Sequence, residues 1–368
     1  MKITSIKAYP VSIQVNPELA IVSSLGEHRL SQYVIVTIEA DSGARGLGEA
    51  NVAPRWSGES QASALAAIQD ILAPELIGQN PLHISELRGK MDRALVGNPF
   101  TKAALEMALL DLAGKTLGVP IQILLGGPRR SFEIPLRFSI GAFSPSHAAQ
   151  VAAKAVSLGL KAVKVKVGLE VSEDIQRVEA VRHALGDGFP IGIDANAGWS
   201  ESEAVEAIPH LERLGVNVIE EPLRRGDFRG CARLRQRTRI PIMLDESVFT
   251  PYDALNAIRR DACDIISIYP GKNGGIGRSF EISQMAATAG LECTIGSNLE
   301  WEIGSAAMLH LAAAIPNLSQ RVCHDIIGPL YHTRHVGTEI TYRNGCASVP
   351  PGAGLGIELD PSLLRSES

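Results

Sequence analysis

Near the start of the chain, apolar and polar positions alternate with a period of two. "MKITSIKAYPVSIQV" reads as a strand, and "YVIVTIEADSGARGLGEA" reads as a hairpin with a glycine-containing turn at Asp41 to Gly43. Two helical segments follow. The second, "NPFTKAALEMALLDLAGKTLG", is apolar over most of its circumference and stops at Gly118 and Pro120. Strands followed by helices indicate an α+β unit. Beyond "PIQILLGGPRR" the pattern changes to short β-like runs that mostly alternate with helical ones. These runs are "EIPLRFSIG", "KAVKVKVG", "FPIGIDAN", "VNVIEEP", "IPIMLDES", "DIISIYPG", "LECTIGSN" and "RVCHDIIG". Eight of them spell a parallel (β/α) barrel. A doubly wound sheet is the competing α/β arrangement, but the GxGxxG that would mark it is absent after the early strands. The chain therefore divides into 1–125, 126–335 and a C-terminal segment, 336–368, whose "PGAGLGIELDPSLL" reads as loop and a possible edge strand.

Composition narrows the function classes. A chain of 368 residues can bury a large core and has room for a barrel with an appended domain. The net charge is −5 with no basic block, which argues against a nucleic-acid partner. The first residues lack the apolar region of a signal peptide, and no apolar run approaches a membrane span, so the expectation is a cytoplasmic protein without a membrane partner. Five cysteines occur without a CxxC pair and read as core thiols rather than a disulfide framework.

One feature breaks the apolar pattern. In "LKAVKVKVGL", Lys164 and Lys166 interrupt a valine run preceded by an amphipathic helix. A strand in that position is covered on both faces, and residues two apart point to the same side. Both lysines therefore enter the barrel while Val163, Val165 and Val167 face the helices.

Acidic residues close the next runs: Asp194 ends "IGID", Glu220 ends "VNVIE" and Asp245 ends "IPIMLD", while Lys272 follows "SIYPG". In a barrel these positions lie on the catalytic face, where the three acids converge. Helix capping by Asp is the bland explanation of any one of them. Three together repel one another unless a cation joins them. A hard divalent ion such as Mg²⁺ takes carboxylate oxygens and leaves positions for a substrate carboxylate. Two adjacent ammonium groups beside such an ion favour the loss of one proton, so one lysine serves as a base and its partner stays charged. Lys272 approaches from the opposite side. The chemistry this suits is removal of a proton next to a carboxylate, with the resulting enediolate stabilised by the metal and Lys164.

In sequence order, "KVKVG", "IDANAGW", "IEEPL", "LDES", "GKNGGI", "SNLEWEIG" and "GPL" resemble the muconate lactonizing subgroup of the enolase superfamily, over nearly the whole chain. The resemblance implies an N-terminal α+β capping domain over a modified TIM (β/α) barrel, with the C-terminal segment returning to the capping domain. It also implies Mg²⁺, sometimes Mn²⁺, and a homo-oligomer, either dimer or octamer. By the same resemblance Asp194, Glu220 and Asp245 are metal ligands, Lys166 is the main acid/base, Lys164 its electrostatic partner and Lys272 the opposite-face lysine. Asn196 and Glu300 match polar site positions. Cycloisomerases of this group resemble "ELFGPL" on the eighth strand where this chain has "DIIGPL", so Asp325 stands one methylene short in a substrate-contact position, with His324 on the other face.

Two capping-domain loops, "NPELAIVSSLGEHRLS" and "APRWSGES", carry His28, Arg29, Arg55 and Trp56, and are expected to close over the far end of a small carboxylate substrate, where a cationic tip suits a second carboxylate. "GKNGGIG" is not a phosphate loop, because Asn273 follows its lysine. Trp199 and Trp301 read as packing at the barrel rim. The leading expectation is a muconate-type cycloisomerase, lactonizing a diacid. The alternatives are a racemase or epimerase of N-acylamino acids or dipeptides, a syn-dehydratase, and a non-catalytic scaffold. Dipeptide epimerases carry Asp-x-Asp on the eighth strand, and this chain has Ile327 where the second aspartate would be.

Overall fold

The structure is a computed structural model and describes residues 1–364. Strands β1 (Ile3–Gln14), β4 (Leu30–Ala40) and β5 (Arg45–Val52) form an antiparallel sheet in the order β1-β4-β5, and a small hairpin of β2 (Ile21–Ser23) and β3 (Gly26–His28) lies in the connection between β1 and β4. The predicted hairpin is that of β4 and β5. The stretch expected to be loop from Asn16 onward thus contains a β-hairpin of its own.

Helix Pro99–Leu117 packs across β4 and β5 and is buried from Phe100 to Gly114. That burial explains its apolar circumference. It lies so close to β5 that a Cβ at Gly46 or Gly48 would sit 1.9 or 1.8 Å from the backbone oxygens of Ala108 and Ala104. Gly118 ends it in the left-handed region at φ 70°.

The central sheet is parallel and runs through β7 (Phe138–Ile140), β8 (Val163–Lys166), β9 (Ile191–Asp194), β10 (Val218–Glu220), β11 (Ile242–Leu244), β12 (Ile265–Ile268) and β13 (Glu292–Ile295) in sequence order. Helices follow most of these strands, giving the α/β modified barrel with an α+β domain against it. Two expectations need correction. The first run splits, because its beginning, β6 (Glu133–Pro135), pairs instead with β15 (Cys346–Ser348), which in turn pairs with β14 (Tyr342–Arg343). The eighth run forms no regular strand. Asp325 N bonds Ile295 O at 2.9 Å, while His324 N bonds Pro135 O and Arg137 N bonds His324 O, each at 3.0 Å, closing the ring by isolated bonds before Gly328 and Pro329 turn the chain away. "GIELD" likewise makes only an isolated bridge, Leu359 with Gly337, rather than an edge strand.

Two buried acids tie the N-terminal part to the barrel. Glu49 on β5 accepts from Trp301 N (2.8 Å) and Gly304 N (3.0 Å), at the start of helix Glu302–Ala314. Glu106, in helix Pro99–Leu117, accepts from Gly277 N at 3.1 Å, at the start of helix Ile276–Thr288. Each satisfies amides that have no partner within their own helix. Burial pushes Glu49 up to about 8 and Glu106 up to about 7. The five cysteines are free, and no helix of the described residues is long and apolar enough to cross a membrane.

Candidate active site

The carboxyl ends of β9, β10 and β11 bring Asp194, Glu220 and Asp245 into one row across adjacent strands, with Asp194 and Glu220 paired in register. Lysines stand at both ends of the row. Lys166 pairs in register with Asp194 and donates from Nζ to its Oδ2 at 2.6 Å. Lys164 lies 3.2 Å from Glu220 Oε2, 3.3 Å from Asp194 Oδ2 and 2.8 Å from Asp325 Oδ2. At the far end Lys272, in the short helix Pro270–Asn273 after β12, donates to Asp245 Oδ1 at 2.5 Å and Ser267 O at 2.6 Å.

Behind the row lies a residue that the strand-end argument passes over. Arg137, just before β7, is fully buried, and its Nε and Nη2 donate to the two carboxylate oxygens of Asp325, each at 2.7 Å, while Nη2 also reaches Glu220 Oε2 at 2.7 Å. The signal for it is the one that exposes the lysines: a lone cation within the apolar run "EIPLRFSIG". Glu221 is a second residue of this kind. Its backbone sits at φ 35°, and its carboxylate accepts from Asp245 N at 2.7 Å and from Ser247 Oγ, which fixes the loop bearing Asp245. Asn196 (φ 42°) and Leu299 (φ 59°) share this left-handed strain in the loops that follow β9 and β13, of order 1–3 kcal/mol each and tolerated where surrounding structure holds it.

Charges follow from burial set against partners. Burial alone would lower Lys164, but Asp325 and Glu220 outweigh it and raise its pKa, so this lysine stays charged. Burial alone would raise Asp325 and Asp194. The cations Arg137 and Lys164 hold Asp325 down, and Lys166 and Lys164 do the same for Asp194. Glu220 is raised, by burial first and then by Asp194.

A cavity of about 350 Å³ opens above the row, between the barrel and the loops of the N-terminal part. Lys164, Lys166, Asp194, Asn196, Asp245, Asp325 and Trp56 line it, together with His28 and Arg55. Glu220 and Lys272 are buried behind that surface. Two expected substrate contacts lie elsewhere. Arg29 turns outward, its side chain 68% exposed and paired with Glu27 at 2.6 Å. Glu300 turns back into its own loop, accepting from Ser297 Oγ (2.7 Å) and Asn298 N (3.0 Å), and burial pushes it up to about 7. His324 points away from the cavity, and its Nδ1 accepts from Ile295 N at 3.3 Å.

The donor set fits a hard divalent cation. Asp194, Glu220 and Asp245 offer only oxygen, and beside them Glu246 Oε2 and Asn196 Oδ1 are buried with no hydrogen-bond partner among the described residues. Among those residues no three acids, histidines or cysteines already surround one point, since each carboxylate of the row is drawn to a lysine.

Comparisons with known proteins match the chain over nearly its whole length. Residues 6–126 match the family model described as mandelate racemase / muconate lactonizing enzyme, N-terminal domain, and residues 147–363 match that described as enolase C-terminal domain-like. The chain is 33% identical over 366 residues to the N-succinyl-L-Arg/Lys racemase of Bacillus cereus, covering 99% of this chain and 97% of that protein. The crystal structure of 2-chloromuconate cycloisomerase from Rhodococcus opacus superposes with a TM-score of 0.95 at 33% identity, covering 100% of both chains. A dipeptide epimerase from Enterococcus faecalis, complexed with Mg and the dipeptide L-Leu-L-Tyr, superposes with a TM-score of 0.91 at 31% identity, over 97% of this chain and 99% of that one.

Proposed function

This chain belongs to the mandelate racemase / muconate lactonizing enzyme family of the enolase superfamily and is an isomerase, and we propose that it is a Mg²⁺-dependent racemase or epimerase of N-acylated α-amino acids. The observation that carries this reading is the pair of lysines at opposite ends of the acid row, Lys166 on Asp194 and Lys272 on Asp245. Inverting a carbon needs a base on one face and an acid on the other, and two such groups stand at opposite ends of the row, Lys272 held behind the cavity wall by Asp245.

Lys166 Nζ takes the proton next to the substrate carboxylate. Lys164, kept charged by Asp325 and Glu220, faces the negative charge that develops. Lys272 returns a proton on the opposite face. Mg²⁺, held by Asp194, Glu220 and Asp245, would neutralise the substrate carboxylate and the charge that builds there as the proton leaves. Loops bearing His28, Arg55 and Trp56 cover the cavity and exclude water from the reacting carbon. A small-molecule carboxylate as substrate and a homo-oligomer as the working form belong to the same reading.

A second reading, cycloisomerization of a muconate-type diacid, is favoured by the end-to-end likeness to the Rhodococcus opacus cycloisomerase and needs only Lys166, as the group that protonates the α-carbon of the ring-closed enolate to give the lactone. Incubation with Mg²⁺ in D₂O against N-acylamino acids, dipeptides and muconates separates the two. Deuterium uptake at the α-carbon, with loss of optical rotation, supports the racemase. Loss of diene absorbance without α-exchange of amino-acid derivatives overturns it in favour of the cycloisomerase.

A further inference from the structure

The charges around the cavity are unevenly committed. Every carboxylate that lines it is held by a cation: Asp194 by Lys166 and Lys164, Asp245 by Lys272, Asp325 by Arg137 and Lys164, and Glu27 by Arg29. Asp325 is the most fully engaged, because Arg137 takes both its oxygens in fork geometry and Lys164 adds a third bond. Ile327, two residues on, presents only hydrocarbon to the cavity.

At the mouth the balance reverses. Arg55 lines the cavity and makes no ion pair with any of the described residues. Its guanidinium lies against the turn of the β2–β3 hairpin, where a Cβ on Gly26 would come 2.4 Å from Nη1. Gly26, at φ 109°, leaves the room that the guanidinium occupies between the two loops.

From this arrangement we infer that the site selects substrates by charge: it takes a dianion whose second carboxylate meets Arg55, and it excludes a substrate bearing a free ammonium group because Arg137 already occupies Asp325. The inference deepens the racemase reading and rests on it for the orientation of the first carboxylate. An ammonium group entering the cavity meets no uncommitted carboxylate and would be desolvated without a partner. A remote carboxylate meets a donor fork suited to it in shape and charge.

The test is calorimetric titration of the Mg²⁺-loaded protein with three small probes: N-succinylglycine, N-acetylglycine and glycylglycine. N-succinylglycine is expected to bind about two- to fivefold more tightly than N-acetylglycine, the size of one partly exposed charge pair, and glycylglycine the most weakly. Arg55→Gln should bring the ratio of N-succinylglycine to N-acetylglycine affinity down to about one, whatever it does to the affinity of both. A preference that survives Arg55→Gln, or glycylglycine binding as tightly as N-acetylglycine, overturns the inference. Exchange of the glycyl α-hydrogens in D₂O is read separately on the same complexes. Failure of exchange in a tightly bound N-succinylglycine complex counts against the racemase reading and leaves the charge selection standing.

Discussion

Arg137 grips Asp325 with two nitrogens at 2.7 Å each, inside the barrel and out of reach of water. The same guanidinium bonds Glu220, so one buried cation holds the eighth segment against the middle of the acid row. Removing it leaves two buried carboxylates to share Lys164 as their remaining cation. Arg137→Met is expected to cost about 3–5 kcal/mol in urea unfolding, and replacing Asp325 by Leu in the same chain should recover most of that loss. Arg137→Lys should rescue poorly, since a single ammonium cannot reproduce the fork.

The lysines at the two ends of the row make separable predictions. Lys166→Ala should slow racemization by about 10²- to 10⁴-fold while Mg²⁺ binding, followed by calorimetry, stays intact. Lys272→Ala should abolish racemization too, yet leave α-deuterium exchange in one enantiomer only. Equal loss of exchange from both enantiomers would remove Lys272 from the role assigned to it.

Chelation supplies a third check. EDTA should stop turnover and added Mg²⁺ should restore it. Asp194→Asn, Glu220→Gln and Asp245→Asn should each weaken Mg²⁺ binding in direct titration, and unchanged affinity in any of the three would exclude that residue as a ligand.

Glu49 predicts a pH signature in stability. Burial raises its folded pKa from the usual carboxylate range to about 8, so between pH 4.5 and 8 the folded chain binds a proton that the unfolded chain has released. This contribution is present in full below about pH 4.5 and is lost as pH rises through 8, by at most on the order of 5 kcal/mol. In unfolding measurements from pH 5 to 8.5, the stability of the parent relative to Glu49→Gln should therefore fall with rising pH. A difference that stays flat or rises would contradict the assignment.

What the sequence displays of this site depends on contrast. Lys164 and Lys166 stand out because ammonium groups in a valine run have no ordinary reason to be there, and the acids stand out because each ends a strand. Arg137 meets the same criterion, but its run divides between two sheets and carries no strand-end signal. Arg29 and Glu300 show where periodicity stops helping. Both lie in irregular segments, where side-chain direction is set by a local partner, Glu27 in one case and the Ser297–Asn298 turn in the other. The eighth run reads as apolar and β-like, but composition does not distinguish a laddered strand from a segment that closes a ring by an isolated bridge.

The acids that cross from the N-terminal part to the barrel bear on engineering. Glu49 and Glu106 terminate helices that belong to the other half of the molecule. A chimaera that grafts this lid onto a relative's barrel must keep acid and recipient amides matched at both junctions. A barrel expressed alone would leave two helix starts bare, and would be expected to gain solubility from acidic replacements supplied in cis.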